Sequence, residues 1–229
     1  MIKFNQLQIM KLLFLFFITI TTLSFSIAQV PVKDEPRHHN IFENNFVRIL
    51  DVNIKPGDTT LYHRHATPSV FIFFTKTKVG SNLINQPALS NINISGNIIY
   101  DSLKTPRIHR VWNEDTSWFH VMDVEIVNQR ETAKHSLLKI KNAELLFDKP
   151  LVRGYNVKLN TGETFNIPKS DTRFLLISIG EVNLSIITNA KGQIRVMKAG
   201  HFIWIEPNED VVIKTLNNTQ GSFALLQLR

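Results

Sequence analysis

The chain has no cysteine among its 229 residues, which excludes disulfides, thiolate metal ligands, thiol nucleophiles and a lipid-modified cysteine. It also lacks any stripe of Lys and Arg interleaved with exposed aromatics. The formal charge is +7; Lys3 and Lys11 account for two of these and no acidic residue precedes Ala28, so +5 remains, dispersed along the rest. No nucleic-acid groove is therefore expected. Beyond residue 32 there is no long apolar run, so nothing there is expected to insert stably into a membrane. A content of 43% hydrophobic and 20% charged residues suits a globular chain with one large core or two small ones.

The first thirty residues differ from the rest. Lys3 and Lys11 precede an uncharged stretch over residues 12–28, and Ser26, Ile27 and Ala28 place small residues at −3 and −1 of a cleavage site. This predicts a signal peptide, residues 1–28, cut before Gln29, and an exported protein, periplasmic or secreted. The rival reading is an uncleaved anchor, because the uncharged stretch runs on to Val32, long enough to cross a bilayer.

Self-comparison organises the remainder. A shift of 105 residues lays Phe42, Val47, Arg48, Val52, Gly57 and Thr59 on Phe147, Val152, Arg153, Val157, Gly162 and Thr164, six identities in eighteen ungapped positions. About one would arise by chance. A shift of 104 lays Asn113 and Phe119 on Asn217 and Phe223. The chain reads as an internal duplication. Each copy consists of short runs rich in β-branched and aromatic residues, separated by turn residues around Gly57, Gly162 and Asn208, which predicts two small β-barrels or sandwiches. The expected organisation is residues 1–28 signal, 29–127 first barrel, 128–143 a charged, helix-tolerant linker and 144–229 second barrel. Arg48 and Arg153, kept in both copies, are expected to be architectural ion-pair partners, and Asn113 and Asn217 to satisfy backbone groups at turns.

The most telling local signal is His63 and His65, six and eight residues after Gly57, in strand-like sequence. Residues i and i+2 of a strand project from one face, a geometry suited to one shared metal ion. A later signal follows at His109, with Pro106 three residues before it and Asn113 four after. These spacings resemble the two motifs of the cupin superfamily, G-x5-H-x-H-x3-4-E-x6-G and G-x5-P-x-G-x2-H-x3-N. Gly57, His63 and His65 match the first; Pro106, His109 and Asn113 match the second apart from its internal glycine. With the duplication, nearly the whole chain after the signal resembles a two-domain cupin, a bicupin.

The resemblance implies an all-β fold of two tandem cupin-type barrels, with His63, His65 and His109 as ligands of one divalent metal ion: Fe, Mn, Zn or Ni. Neutral imidazoles suit such ions, and three of them leave positions open for water or substrate. The family's glutamate would fall at Ser69 or Val70, neither of which supplies a carboxylate. Among cupins, three-histidine centres occur in some iron dioxygenases and also in proteins of no established reaction. The expected function is a dioxygenase-type enzyme acting on a small organic molecule. Alternatives are a non-catalytic module binding a sugar or organic acid, and a Zn-dependent isomerase or hydrolase. A homodimer is implied by resemblance only. On the same shifts Pro168, Ser170 and Ile213 occupy the three histidine positions in the second copy, which predicts a metal-free structural partner, lid or apolar ligand pocket.

Other residues were weighed by strand parity. Ser69 is a candidate hydroxyl orienting a metal-bound water. His120 shares a face with Met122 and Val124 and is a candidate for the interior near the metal, or a hydrogen-bonded core residue. Asp123 and Glu125 share the other face with Val121 and are expected to meet solvent. His38 and His39 sit in an extended arm; as neighbours they point opposite ways, and neither is assigned to the site. His135, in the linker, and His201, in the second copy, are assigned elsewhere.

Overall fold

The computed structural model describes residues 29–128, 141–189, 191–216 and 219–229. The expected signal segment 1–28, most of the expected linker including His135, and Asn217 lie outside the described residues. Among the described residues no helix is long and apolar enough to cross a membrane.

The first half is built from β1 (Gln29–Pro31), a single 3-10 turn (Val32–Asp34), β2 (His38–Glu43), β3 (Val47–Ile54), β4 (Tyr62–His65), β5 (Ser69–Phe73), β6 (Thr77–Leu83), β7 (Leu89–Asn93), β8 (Ile98–Asp101), β9 (Arg107–Asn113) and β10 (Phe119–Ile126). The second is built from β11 (Ala143–Asp148), β12 (Val152–Leu159), β13 (Thr164–Ile167), β14 (Arg173–Ser178), β15 (Val182–Thr188), β16 (Lys191–Met197), β17 (Phe202–Ile205), β18 (Val211–Thr215) and β19 (Gly221–Leu228). The first half forms sheets β1-β4-β9-β6-β7 and β2-β3-β10-β5-β8; the second forms β11-β12-β19-β14-β17 and β13-β18-β15-β16. The fold is all-β, with two barrels of like topology. Ala143, placed by the sequence at the end of the linker, opens β11.

Packing explains the arrangement. One apolar cluster joins the halves: Ile49, Val70, Ile72, Met122 and Val124 from the first meet Val152, Leu175, Ile177, Ala224 and Leu226 from the second. A second cluster, with Phe165, Ile167, Phe174, Leu184, Ile186, Ile213, Phe223 and Leu225, fills the C-terminal barrel. The N-terminal barrel has a smaller one around Leu50, Val52, Ile54, Phe119 and Val121. Strands β10 and β19 therefore bury both faces, one inside their own barrel and one between barrels.

The duplication recurs in local detail. Gly57 and Gly162 both have φ near +70° (72° and 75°), where a side chain would be strained. The β2–β3 and β11–β12 pairs carry bulges at Asn40/Phe42 and Leu145/Phe147, 105 residues apart. Arg48 bonds Glu43 and Glu125, both at 2.7 Å, and Arg153 meets Asp148 at 3.2 Å and Gln227 at 3.5 Å. The repeated arginine is a strand-to-strand tie in both halves. Asn113, buried, donates to the carbonyls of Ile54 and Ser117 and accepts from the Asp115 amide, closing the turn after β9.

Strand register corrects one alignment. His63 pairs with His109 and His65 with Arg107; in the second half Phe165 pairs with Ile213 and Ile167 with Val211. The amide of Asn113 donates to the Asp58 carbonyl as that of Thr215 donates to the Glu163 carbonyl, so β9 and β18 correspond at a shift of 102. The counterparts of His109 and His63 are thus Val211 and Ile167, not Ile213 and Pro168. Strand β13 ends before any counterpart of His65, which is therefore not Ser170. The second copy is one residue shorter between its turn glycine and Ile167, and two shorter from there to Val211 in β18, which an ungapped comparison cannot register.

Candidate metal centre

His63 and His65 lie on the inward face of β4, and β9 pairs alongside to bring His109 opposite His63. His63 and His65 are buried and His109 keeps part of its surface open. His65 Nε2 stands 3.1 Å from His109 Nε2. The ring centroid of His63 is 5.0 Å from that of His65 and 4.6 Å from that of His109. The three histidines expected from the sequence thus share one place.

A fourth histidine joins them. Parity in the arm sends His38 inward and His39 to solvent. The His38 ring lies 4.6 Å from that of His63, and one nitrogen from each of His38, His63 and His65 lies within 4.8 Å of the others. His38 reaches the site because its strand β2 adds to β3, with His38 opposite Val52. The sequence held only the parity rule, and nothing in it showed that the arm would fold against the barrel interior.

The outer nitrogens of three rings have partners. His38 Nδ1 is 2.8 Å from Glu35 Oε2 and His63 Nδ1 is 2.9 Å from the Leu61 carbonyl. Asp123 Oδ2 is 3.3 Å from His65 Nδ1, close enough for charge contact but not aligned as a hydrogen bond, and neither Asp123 oxygen has a hydrogen-bond donor among the described residues. Such contacts turn Nε2 of His38, His63 and His65 toward the common centre. Among the described residues His63 Nε2 is buried without a hydrogen-bond partner, an arrangement that costs stability unless something else occupies it.

Burial, then the neighbouring His38 and His65, hold the His63 pKa down at about 3. Burial also puts His109 well below the ordinary histidine range, with His63 and His65 adding to the effect. Both are neutral at pH 7 and so have lone pairs to give. Two nitrogens about 2.0–2.1 Å from one ion would stand about 3.3 Å apart in tetrahedral and about 2.9 Å apart in octahedral geometry, which brackets the observed 3.1 Å. The octahedral arrangement leaves positions open even with a fourth nitrogen. The His65–His109 pair therefore fits a divalent ion that accepts imidazole, and beside it one nitrogen each of His38, His63 and His65 gathers within 4.8 Å of the others.

The histidines face a cavity of about 360 Å³ between the two sheets of the first barrel. Its walls are mainly apolar, with Val52, Ile54, Phe71, Phe73, Phe119 and Val121 prominent; Ser81, Asn91, Asn93, Asp101 and Arg107 add polar groups. Arg107 bonds Asp101 at 2.6 Å. The corresponding interior of the second barrel is occupied by its own side chains, Phe165, Ile167, Leu184, Ile213 and Leu225 among them.

Three expectations need correction. Asp123 and Glu125 are inside, 1% and 2% exposed, because the other face of β10 is covered by the second barrel and leaves neither side to solvent. Burial and then the charge of Asp123 raise the pKa of Glu125, against the pull of Arg48. His120 points away from the histidine cluster, on the face shared with Met122, and bonds Asp51 at 2.7 Å; it cannot support the site. Ser69 is buried on the inward face opposite Glu125, where its hydroxyl donates to the Thr67 carbonyl at 3.1 Å rather than toward the histidines. His201 is exposed in the second half, apart from the cluster.

No family model matches the sequence, and no curated protein matches it significantly. Similar folds are found among solved structures. YhhW from Escherichia coli is 14% identical, covering 83% of this chain and 87% of that one, with a TM-score of 0.59. A cupin 2 conserved barrel domain protein from Leptotrichia buccalis is 12% identical, with coverages of 86% and 90% and a TM-score of 0.54. Salicylate 1,2-dioxygenase from Pseudaminobacter salicylatoxidans is 7% identical, with coverages of 80% and 71% and a TM-score of 0.56. Taken with the repeated topology and the histidines at the motif positions, these likenesses give the chain the cupin fold, present twice, with its histidine cluster in the N-terminal barrel.

Proposed function

We propose that this protein is an exported, metal-dependent enzyme of the dioxygenase type that acts on a small organic molecule in the N-terminal barrel. The observation that carries the reading is the union of two features: neutral imidazoles with an unpartnered Nε2, and an accessible apolar cavity directly against them. A purely structural metal site is closed on all sides, whereas a working one faces open volume. About 360 Å³ falls at the small end of ligand cavities. It is more than twice the volume of about 150 Å³ that accepts benzene in a dry core.

His63, His65 and His109 would hold the ion. Bound there, a divalent metal supplies Lewis acidity and, if it is iron or manganese, one-electron chemistry. The chain does the rest. The Leu61 carbonyl fixes the tautomer of His63, and Asp123 lies against the outer nitrogen of His65. Phe71, Phe73 and Phe119 exclude water from the substrate side, which strengthens electrostatic interactions in the cavity. Arg107 and Asp101 provide a polar end that can orient a substrate. The solved dioxygenase of similar fold supports the view that such a double barrel can house this chemistry.

The test is metal analysis of the chain from Gln29, purified without chelator or affinity nickel, followed by oxygen uptake with a panel of small organic substrates. Near-stoichiometric iron or manganese and turnover lost in His109→Ala are expected. Ligand-induced thermal shifts without turnover would replace the enzyme with a binding module. Stoichiometric zinc with isomerase or hydrolase turnover would replace the oxidative reaction. Export is tested by N-terminal sequencing of the mature protein, with Gln29 expected first.

A further inference from the structure

We infer that the N-terminal arm is part of the metal centre: His38 is its fourth nitrogen ligand, held in place by Glu35, so that docking of the arm and binding of the ion are one coupled event. The inference rests on the metal reading above and deepens it. The cupin motif pattern carries no residue at this place, and the second barrel has Ala143 in the equivalent position, since Ala143 pairs with Val157 as His38 pairs with Val52.

The arm is built onto both sheets of the first barrel. Strand β1 adds in parallel to β4, setting Val30 beside His63, and β2 adds to β3 on the facing sheet. Between them Glu35 is 1% exposed. Its carboxylate accepts from the amides of Arg37 at 2.7 Å and Leu61 at 3.1 Å, besides its contact with His38 Nδ1. Leu61 is two residues before His63, and its carbonyl binds the His63 ring. One short segment therefore anchors the outer nitrogens of two rings. Arg37 adds a bidentate bond to Asp58 at 2.7 and 3.1 Å.

A buried carboxylate and histidine are costly to bring out of water for packing alone. The pair makes sense if the carboxylate serves to present the opposite nitrogen. With Nδ1 engaged by Glu35, Nε2 is the atom left for His38 to offer, and His38 contributes one ring nitrogen to the 4.8 Å cluster with His63 and His65. The adjacent His39, exposed on the other side of the strand, is a built-in control.

The test compares the chain from Gln29 with His38→Ala, Glu35→Gln, His63→Ala and His39→Ala variants. Zn(II) and Co(II) affinities are measured by competition with a chelator, Co(II) absorption and Cu(II) nitrogen hyperfine structure are recorded, and metal-free melting shows that each variant folds. His38→Ala should lose at least tenfold in affinity, change the Co(II) spectrum and remove one nitrogen from the Cu(II) pattern. Glu35→Gln should weaken binding about tenfold, as loss of a ligand-orienting partner does, with the nitrogen count kept. His39→Ala should match the parent, and His63→Ala should bind no metal tightly. If His38→Ala melts lower but keeps the parent's affinity and spectra, His38 is a capped core residue and this inference is overturned while the metal reading stands. If the parent itself binds none of these ions, both fall.

Discussion

The two barrels share topology, turn glycines, bulges and strand-tying arginines, yet they spend their interiors differently. Register places His63 against Ile167, His109 against Val211, His38 against Ala143 and Asp123 against Leu225. At each position the first barrel carries a group that can ligate or orient, and the second an apolar one. A fold can hold a polar, partly unsatisfied interior when a filled twin braces it. Here the brace is direct, through the cluster formed by Met122, Val124, Leu175, Ile177 and Leu226.

The comparison breaks first if both interiors respond alike to truncation. Phe165→Ala should destabilise the protein by about 3–5 kcal/mol, the usual cost of a large cavity in a packed core, as read by urea unfolding. His109→Ala, beside a cavity that already exists, should change metal-free stability far less while metal content drops to background in elemental analysis. Equal stability losses would mean that the first barrel is as tightly filled as the second.

An exchange at Asp123 sharpens the contrast next. Asp123→Leu, the residue of the second barrel, removes the buried carboxylate behind His65 and should weaken metal binding about 10- to 100-fold, measured by chelator competition. Metal-free stability should rise or hold, because an unpartnered buried carboxylate is lost.

Acid should tell the barrels apart as well. His63 is neutral in the folded protein down to about pH 3, whereas in the unfolded chain it takes a proton near its ordinary value of about 6.5. Its contribution is whole above pH 6.5 and is lost as pH falls toward 3, because the unfolded state binds the proton first. The urea midpoint of metal-free protein should decline over that range. His63→Ile, which installs the second barrel's residue, should flatten the slope.

The smallest effect concerns the cavity itself. Ser81 stands opposite Val111, as Ile186 stands opposite Ile213 in the second half. Ser81→Leu should fill part of the cavity, raise metal-free stability by about 1 kcal/mol, and abolish binding of any small ligand that stabilises the parent in a thermal-shift screen.

Much of the fold was legible in advance because its signals are local. Turn residues at Gly57 and Gly162 punctuate strands, and a shared register of identities reveals duplication. The His63/His65 pair was legible for the same reason, since alternation along one strand needs no tertiary information. Asp123 shows where that stops. Parity correctly joined it to Val121, but parity does not say which face is the interior, and with both faces of β10 covered there was no solvent side. His120 shows the mirror image of the same ambiguity: its face turns away from the cavity, so of its two readings the hydrogen-bonded one holds, through Asp51, and the one beside the metal does not.

The sequence by itself determined the two barrels, the face shared by His63 and His65, and the absence of histidine ligands from the second copy, since each follows from chain periodicity and residue chemistry. The tertiary structure decided that His38 and Glu35, more than twenty residues before His63, close on the same centre, and that Ile167 rather than Pro168 stands where His63 does. It also decided that Asp123 lies behind His65. Those relations are set by which strands pair and in what register, and pairing is won by burial summed over the whole barrel, a quantity no short stretch of chain contains.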